Sequence, residues 1–215
     1  MDFSLWLAFL SASIFLSFVP GPDNIFVLTQ SAAFGFRAGF YVVTGLCTGL
    51  VFQTLCASLG LAAVVAASPW LFGVICAAGA LYLLWLAWGA WHAPVSSAGS
   101  GSSPRSVSLT PAGAWRRGTI MNITNPKVQI FFLAFFPQFL SQGSKAWPVW
   151  GQMAVLGVTF IACTLAVFSI IAFFAGSLTA KLNNPRRQKL MNRGTALVFV
   201  LLASSALWEM VQRVA

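Results

Sequence analysis

No Asp, Glu, Lys or Arg interrupts the sequence between Arg37 and Arg105, and none interrupts it between Lys145 and Lys181. Each stretch is longer than the roughly 20 apolar residues that cross a hydrocarbon layer as a helix. Only 7% of the 215 residues are charged, against 59% hydrophobic, whereas a soluble surface needs about a quarter. With a mean hydropathy of +0.85, the chain is predicted to be an all-α integral membrane protein.

Six apolar segments can be drawn: Leu5 to Gln30, Gly39 to Ala66, Pro69 to Trp91, Gly118 to Phe139, Trp150 to Leu178 and Gly194 to Val211. Trp70, Trp88, Trp91, Trp147 and Trp150 fall near segment ends, where indole rings favour the membrane interface. Ala93 to Ala114 is rich in Ser, Gly and Pro and reads as a flexible linker. It divides the chain into a first three-segment half, residues 1–92, and a second, residues 115–215. With six crossings, one set of loops carries Arg37, Arg105, Arg116, Arg117, Lys181, Arg186, Arg187, Lys189 and Arg193. The other side carries Lys145 and Arg213. Positive charge stays in the cytoplasm, so a cytoplasmic linker and both termini outside are predicted.

The net charge of +9 does not make this a nucleic-acid binder, because the basic residues sit in short loops between apolar segments. There they act as topology signals and lipid-headgroup contacts. A cleavable signal peptide fits poorly, since Asp2 rather than a basic stretch follows Met1. Cys47, Cys56, Cys76 and Cys163 lie inside apolar segments without a CxxC pair, and His92 stands alone. No metal, cofactor or disulfide framework is expected.

Two segments are broken. The first contains Pro20-Gly21-Pro22-Asp23-Asn24, the fourth Thr124-Asn125-Pro126-Lys127. Proline removes a backbone donor and blocks the preceding turn, so both helices should unwind and free backbone groups at membrane depth. Such backbone is tolerated only where protein covers it or water reaches it. Aligning Pro22 with Pro126 places Asp23 on Lys127, opposite charges at equivalent positions of the two halves. Three-plus-three crossings set the halves in opposite orientations, the arrangement of an inverted repeat with its site between discontinuous helices. The bland readings are a kink with Asp23 hydrated at the headgroups, and a Lys127 that snorkels to an interface. The shared register of proline and charge favours function. Asp23, Lys127, Pro20, Gly21, Pro22, Asn24, Asn125, Pro126 and Gln53 are therefore the candidate substrate and coupling residues. Asn24, Asn122, Asn125 and Gln129 are equally suited to satisfying freed backbone. Gly45 and Gly49 share a face of the second segment and suit close helix packing.

Pro-Gly-Pro with Asp23-Asn24, then Thr124-Asn125-Pro126-Lys127, then Phe131-Phe132-Leu133 through Phe136-Pro137-Gln138-Phe139, resemble the LysE/RhtB family of amino-acid exporters. The resemblance spans essentially the whole chain. It implies a secondary transporter in a bacterial inner membrane that exports a small amino acid or derivative, driven by protons, and not an enzyme. The expected partners are that substrate, protons and membrane lipid, with homo-oligomerisation left open. Asp23 and Lys127 are expected to pair across a central cavity. A membrane thiol-disulfide oxidoreductase, which needs two approaching cysteines, and a lipid scramblase or passive channel are the alternatives.

Overall fold

The computed structural model describes residues 2–67, 69–94, 108–141, 146–175, 177 and 185–214. Among these, every regular element is helical. Asp2 caps α1 (Phe3–Phe18) by accepting from the amide of Ser4, and α1 ends where Pro20 cannot donate. Then α2 (Pro22–Phe34) leaves at 58° to α1. Helix α2 stops at Gly35, whose φ of 84° suits glycine. Next come α3 (Phe36–Ala67) and α4 (Pro69–Trp91).

The fourth apolar segment is not one helix. Helix α5 (Pro111–Ile123) starts inside the expected linker, because Thr110 caps it and Pro111 preorganises its first turn. A break at Thr124-Asn125 precedes α6 (Pro126–Ile130), a π turn over Phe131–Phe135 and a 3-10 turn over Phe136–Phe139. Helix α7 covers Val149–Phe173. Helix α8 (Pro185–Val214) begins earlier than its apolar pattern, since Pro185 opens it. Arg186, Lys189 and Arg193 thus belong to its first turns rather than to a loop, as Arg116 and Arg117 belong to α5. Most of the expected linker, with Arg105, and the loop residues Lys145 and Lys181 lie outside the described residues.

By length and composition three helical stretches can cross a membrane: Phe36–Gly60, Val149–Phe173 and Gln188–Trp208. The bent pair α1–α2 makes a fourth if it is one span. Helix α4 has 23 residues, about 35 Å at 1.5 Å per residue, but its described apolar stretch is shorter, Ala77–Trp91.

Packing places the breaks at the centre. Helix α1 lies on α7, α2 on α3 and α7, α3 on α5 and α7, and α4 on α8 and the π turn. The π turn supplies buried Phe131, Phe132 and Phe135, which with Phe9, Phe136 and Phe160 form an aromatic core. Phe9 meets Phe136 edge-on at 4.9 Å, and Phe131 meets Phe160 at 4.9 Å. Offset and edge-on geometry is the favourable arrangement of ring quadrupoles. Large apolar side chains such as Phe3, Leu59 and Leu190 stand outward, more than 70% exposed, the inside-out polarity of a lipid-facing surface.

Candidate functional site

Both breaks use the same local device. Gly21 is extended and Pro22 opens α2; Asn125 is extended and Pro126 opens α6. Each proline occupies a first-turn position where its missing N–H costs nothing. Asp23 and Lys127 are accordingly the second residues of matching helices. A carboxylate there complements the positive end of α2. The ammonium of Lys127 gains no such help from α6, so other contacts must hold it.

Those contacts cross between the halves. Lys127 is partly buried, and its Nζ donates to the Val19 carbonyl at 3.5 Å, beside a backbone that the proline has unwound. It also lies 5.7 Å from the centre of the Phe199 ring. At Gly21 a Cβ would stand 3.5 Å from Nζ. Asp23 is only 8% exposed. Its Oδ2 accepts from Asn125 Nδ2 at 2.9 Å, while its Oδ1 has no hydrogen-bond partner. The direct Asp23–Lys127 pair expected from sequence is therefore replaced by a mediated one. Asn125 caps α6 by accepting from the Lys127 amide at 3.1 Å and holds Asp23 with its other end.

Three side-chain amides, Asn24 and Gln53 of the candidate set and Gln129 beside it, do backbone work. Asn24 Nδ2 donates to the Ser17 carbonyl at 2.8 Å, in place of a helical partner lost at the first break. Gln129 Nε2 donates to the Ile123 carbonyl at 2.7 Å across the second. Gln53 reaches from α3 and donates to the Asn122 carbonyl at 3.1 Å. In an unbroken helix that carbonyl would take the N–H of residue 126, which is a proline. Pro20 does not line the cavity of the charged pair but a separate pocket beside Asn24.

Asp23, Asn24 and Lys127 line one cavity of about 40 Å³, walled by Leu16, Leu50, Val128, Phe131, Phe160 and Phe168, with Ser17, Asn122 and Thr164 among its polar lining. That is water-sized, far below the roughly 300 Å³ at which small-molecule pockets begin, so the site is closed. Sequence pattern could not supply the wall, because it is assembled from α1, α3 and α7 by packing. Asn122, read from sequence as a partner for freed backbone or a substrate contact, is in this lining. The carbonyl of Val19 was signalled by the proline that follows it.

Chemically, the cavity is lined by a carboxylate with one oxygen that lacks a donor and by an ammonium with a single long hydrogen bond, among mostly apolar walls with Ser17, Asn24, Asn122 and Thr164 as the other polar groups. Among the described residues no cluster of His, Cys, Asp or Glu can hold a metal. Cys47, Cys56 and Cys163 are free thiols, and none lines the cavity.

The chain is 31% identical over 205 residues to the homoserine/homoserine lactone efflux protein of Salmonella typhimurium, covering 95% of this chain and 96% of that one. It is 30% identical over 202 residues to the leucine efflux protein of Klebsiella pneumoniae, covering 93% and 92%. An uncharacterized membrane protein of Vibrio cholerae is 31% identical over 184 residues, covering 85% and 84%. No solved structure matches the chain. The family profile described as LysE type translocator matches residues 14–209, and the chain belongs to that family.

Proposed function

We propose that the chain is a secondary transporter of the bacterial inner membrane that exports a small, zwitterionic amino acid or derivative. One observation carries this reading: Asp23, whose Oδ1 is buried and without a donor, lines the same cavity as Lys127. A substrate ammonium supplies the donor that Oδ1 lacks, and a substrate carboxylate draws Lys127 Nζ from the Val19 carbonyl. Charge-assisted hydrogen bonds of this kind are about twice as strong as neutral ones. Relatives named for homoserine and leucine efflux support the same substrate class.

The cycle requires the cavity to open, because about 40 Å³ does not admit an amino acid. The breaks are the hinge points: backbone held by Asn24, Gln53 and Gln129 side chains rearranges more readily than a continuous helical ladder. Proton coupling is assigned to Asp23, whose protonation removes the counter-charge of the substrate ammonium and releases it. The equivalent Pro22-Asp23 and Pro126-Lys127 openings support a three-plus-three inverted repeat, residues 1–92 against 115–215, with six crossings and both termini outside.

The test is counterflow of labelled leucine and homoserine in proteoliposomes, with and without an imposed proton gradient. Saturable flux that a gradient accelerates is expected. Flux that never saturates would make the chain a passive channel. A variant with all four cysteines replaced should transport normally; loss of function with retained fold would restore the thiol-disulfide reading.

A further inference from the structure

A second pocket, of about 330 Å³, lies beside the first break. Its walls include Pro20, Asn24, Leu28, Ile171, Phe174 and Met191. Asn24 lines this pocket and the central cavity alike, so one side chain is a common wall of the two. The pocket reaches the size at which small-molecule sites begin, and the central cavity does not. Its position also matters. It is flanked by Ser177, just past α7, and by Met191, in the basic opening turns of α8. That end carries Arg186, Lys189 and Arg193, and retained positive charge places it in the cytoplasm, the side on which an exporter loads.

A comparable space at the second break is about 280 Å³, lined by Gln53, Cys56, Ile123, Gln129 and Leu133 among others, but among the described residues it shares none with the lining of the central cavity. The continuity is thus particular to the first break. The walls at Leu28, Ile171, Phe174 and Met191 are apolar, and among the described residues no carboxylate or basic side chain lines this pocket.

We infer that this pocket is the loading vestibule of the exporter and receives the aliphatic side chain of a neutral amino acid, with Asn24 as the partition between it and the charged cavity. The inference rests on the export reading above. The occupant follows from the walls: a charged side chain would lose its hydration there without a partner among the described residues, whereas an aliphatic one gains by leaving water for apolar walls. Helix α2 carries both Asn24 and Leu28, so a small movement of α2 joins the two spaces and passes the zwitterionic head to Asp23 and Lys127.

The experiment uses the full chain with its native cysteines replaced and Met191→Cys added, reconstituted in vesicles and labelled with a maleimide. Saturating L-leucine should slow labelling about tenfold, and L-homoserine much less. In transport, Met191→Trp should raise KM for leucine about tenfold while leaving homoserine near the parent value. Leu133→Trp, at the other break, should change neither. Met191 lies at the protein surface, 36% exposed, so the larger ring can be accommodated without unfolding. Labelling indifferent to leucine, or an unchanged KM for leucine in Met191→Trp, would overturn the vestibule. If leucine protects position 191 but no amino acid is carried, the export reading fails and takes the loading role with it, while the pocket stands as a site for an aliphatic side chain. If amino acids are carried while position 191 is indifferent to them, the vestibule fails and the export reading stands.

Discussion

Asp23 is one of three acidic residues in the chain, with Asp2 and Glu209, and it lines the central cavity. Removing its charge while Lys127 stays leaves an ammonium in an apolar chamber, and removing Lys127 leaves a carboxylate. Either error costs about 3–5 kcal/mol when the group is fully buried, less here because Lys127 is only partly so. Asp23→Asn with Lys127→Gln should therefore have a higher unfolding temperature in detergent than either single variant. Equal or additive losses would show that the two charges do not sense each other through Asn125. In transport, Asp23→Asn should abolish gradient-driven accumulation, and Lys127→Ala should weaken substrate binding by about 1.5–3 kcal/mol, roughly ten- to a hundred-fold. Full proton-driven accumulation by Asp23→Asn would remove the carboxylate from coupling. The sequence made both residues legible, because a charge immediately after a proline in an apolar segment is conspicuous. It did not reveal Asn125 as the bridge, since an Asn before a proline reads as a cap. That its second amide end reaches a residue 102 positions away is a product of packing.

At the scale of the elements, the two breaks are held open by borrowed hydrogen bonds. Gln53 substitutes for the N–H that Pro126 lacks by donating to the Asn122 carbonyl, 69 residues away. Gln53→Leu keeps the volume and removes the donor, so it should destabilise the fold by about 1–3 kcal/mol, read as a lowered unfolding temperature. Gln53→Glu, which lacks the donor and adds charge, should be worse. A Gln53→Leu protein as stable as its parent would show that the Asn125 amide, which also reaches the Asn122 carbonyl at 3.1 Å, suffices alone. The α3–α5 crossing has the opposite sensitivity. A Cβ on Gly45 would collide with the Trp115 carbonyl, and one on Gly49 would stand 2.7 Å from Asn122 Cβ. Gly45→Val should thus separate α3 from α5 and abolish both folding yield and transport, whereas substitution of the exposed Leu59 by Val should do neither. The packing role of these glycines was legible from their spacing. The π turn at Phe131–Phe135 was not: its apolar run reads as ordinary helix, and the irregularity arises where α6 meets the aromatic core.

On the scale of the whole molecule, periodicity and charge reported different things. The apolar segments located α3, α4 and α7 closely, because an uncharged run ends where polar residues begin. They misplaced the starts of α5 and α8, whose first turns are polar and open at prolines, Pro111 and Pro185. That error leaves the topology argument intact, since a basic first turn at a helix end is retained in the cytoplasm as a basic loop is. It sharpens the prediction instead. Arg116 and Arg117 on α5 and Arg186, Lys189 and Arg193 on α8 then mark helix ends at one face. Arg193 stacks on Trp91 at 5.2 Å, bringing the close of α4 and the opening of α8 to that same face. With six crossings this face is cytoplasmic and both termini are outside. Single cysteines placed in a cysteine-free chain test it: one at Ser108, just before α5, should resist an impermeant maleimide added to intact cells, and one at Asp2 should react. Were α5 and its continuation not to cross, every later helix would invert, and the basic opening of α8 would face outward. A cysteine replacing Arg186 would then be labelled from outside, while one at Ser108 stayed protected. Labelling at Asp2 alone supports six crossings; labelling at Asp2 and position 186 together supports five, and with it the loss of the inverted repeat on which the central site depends.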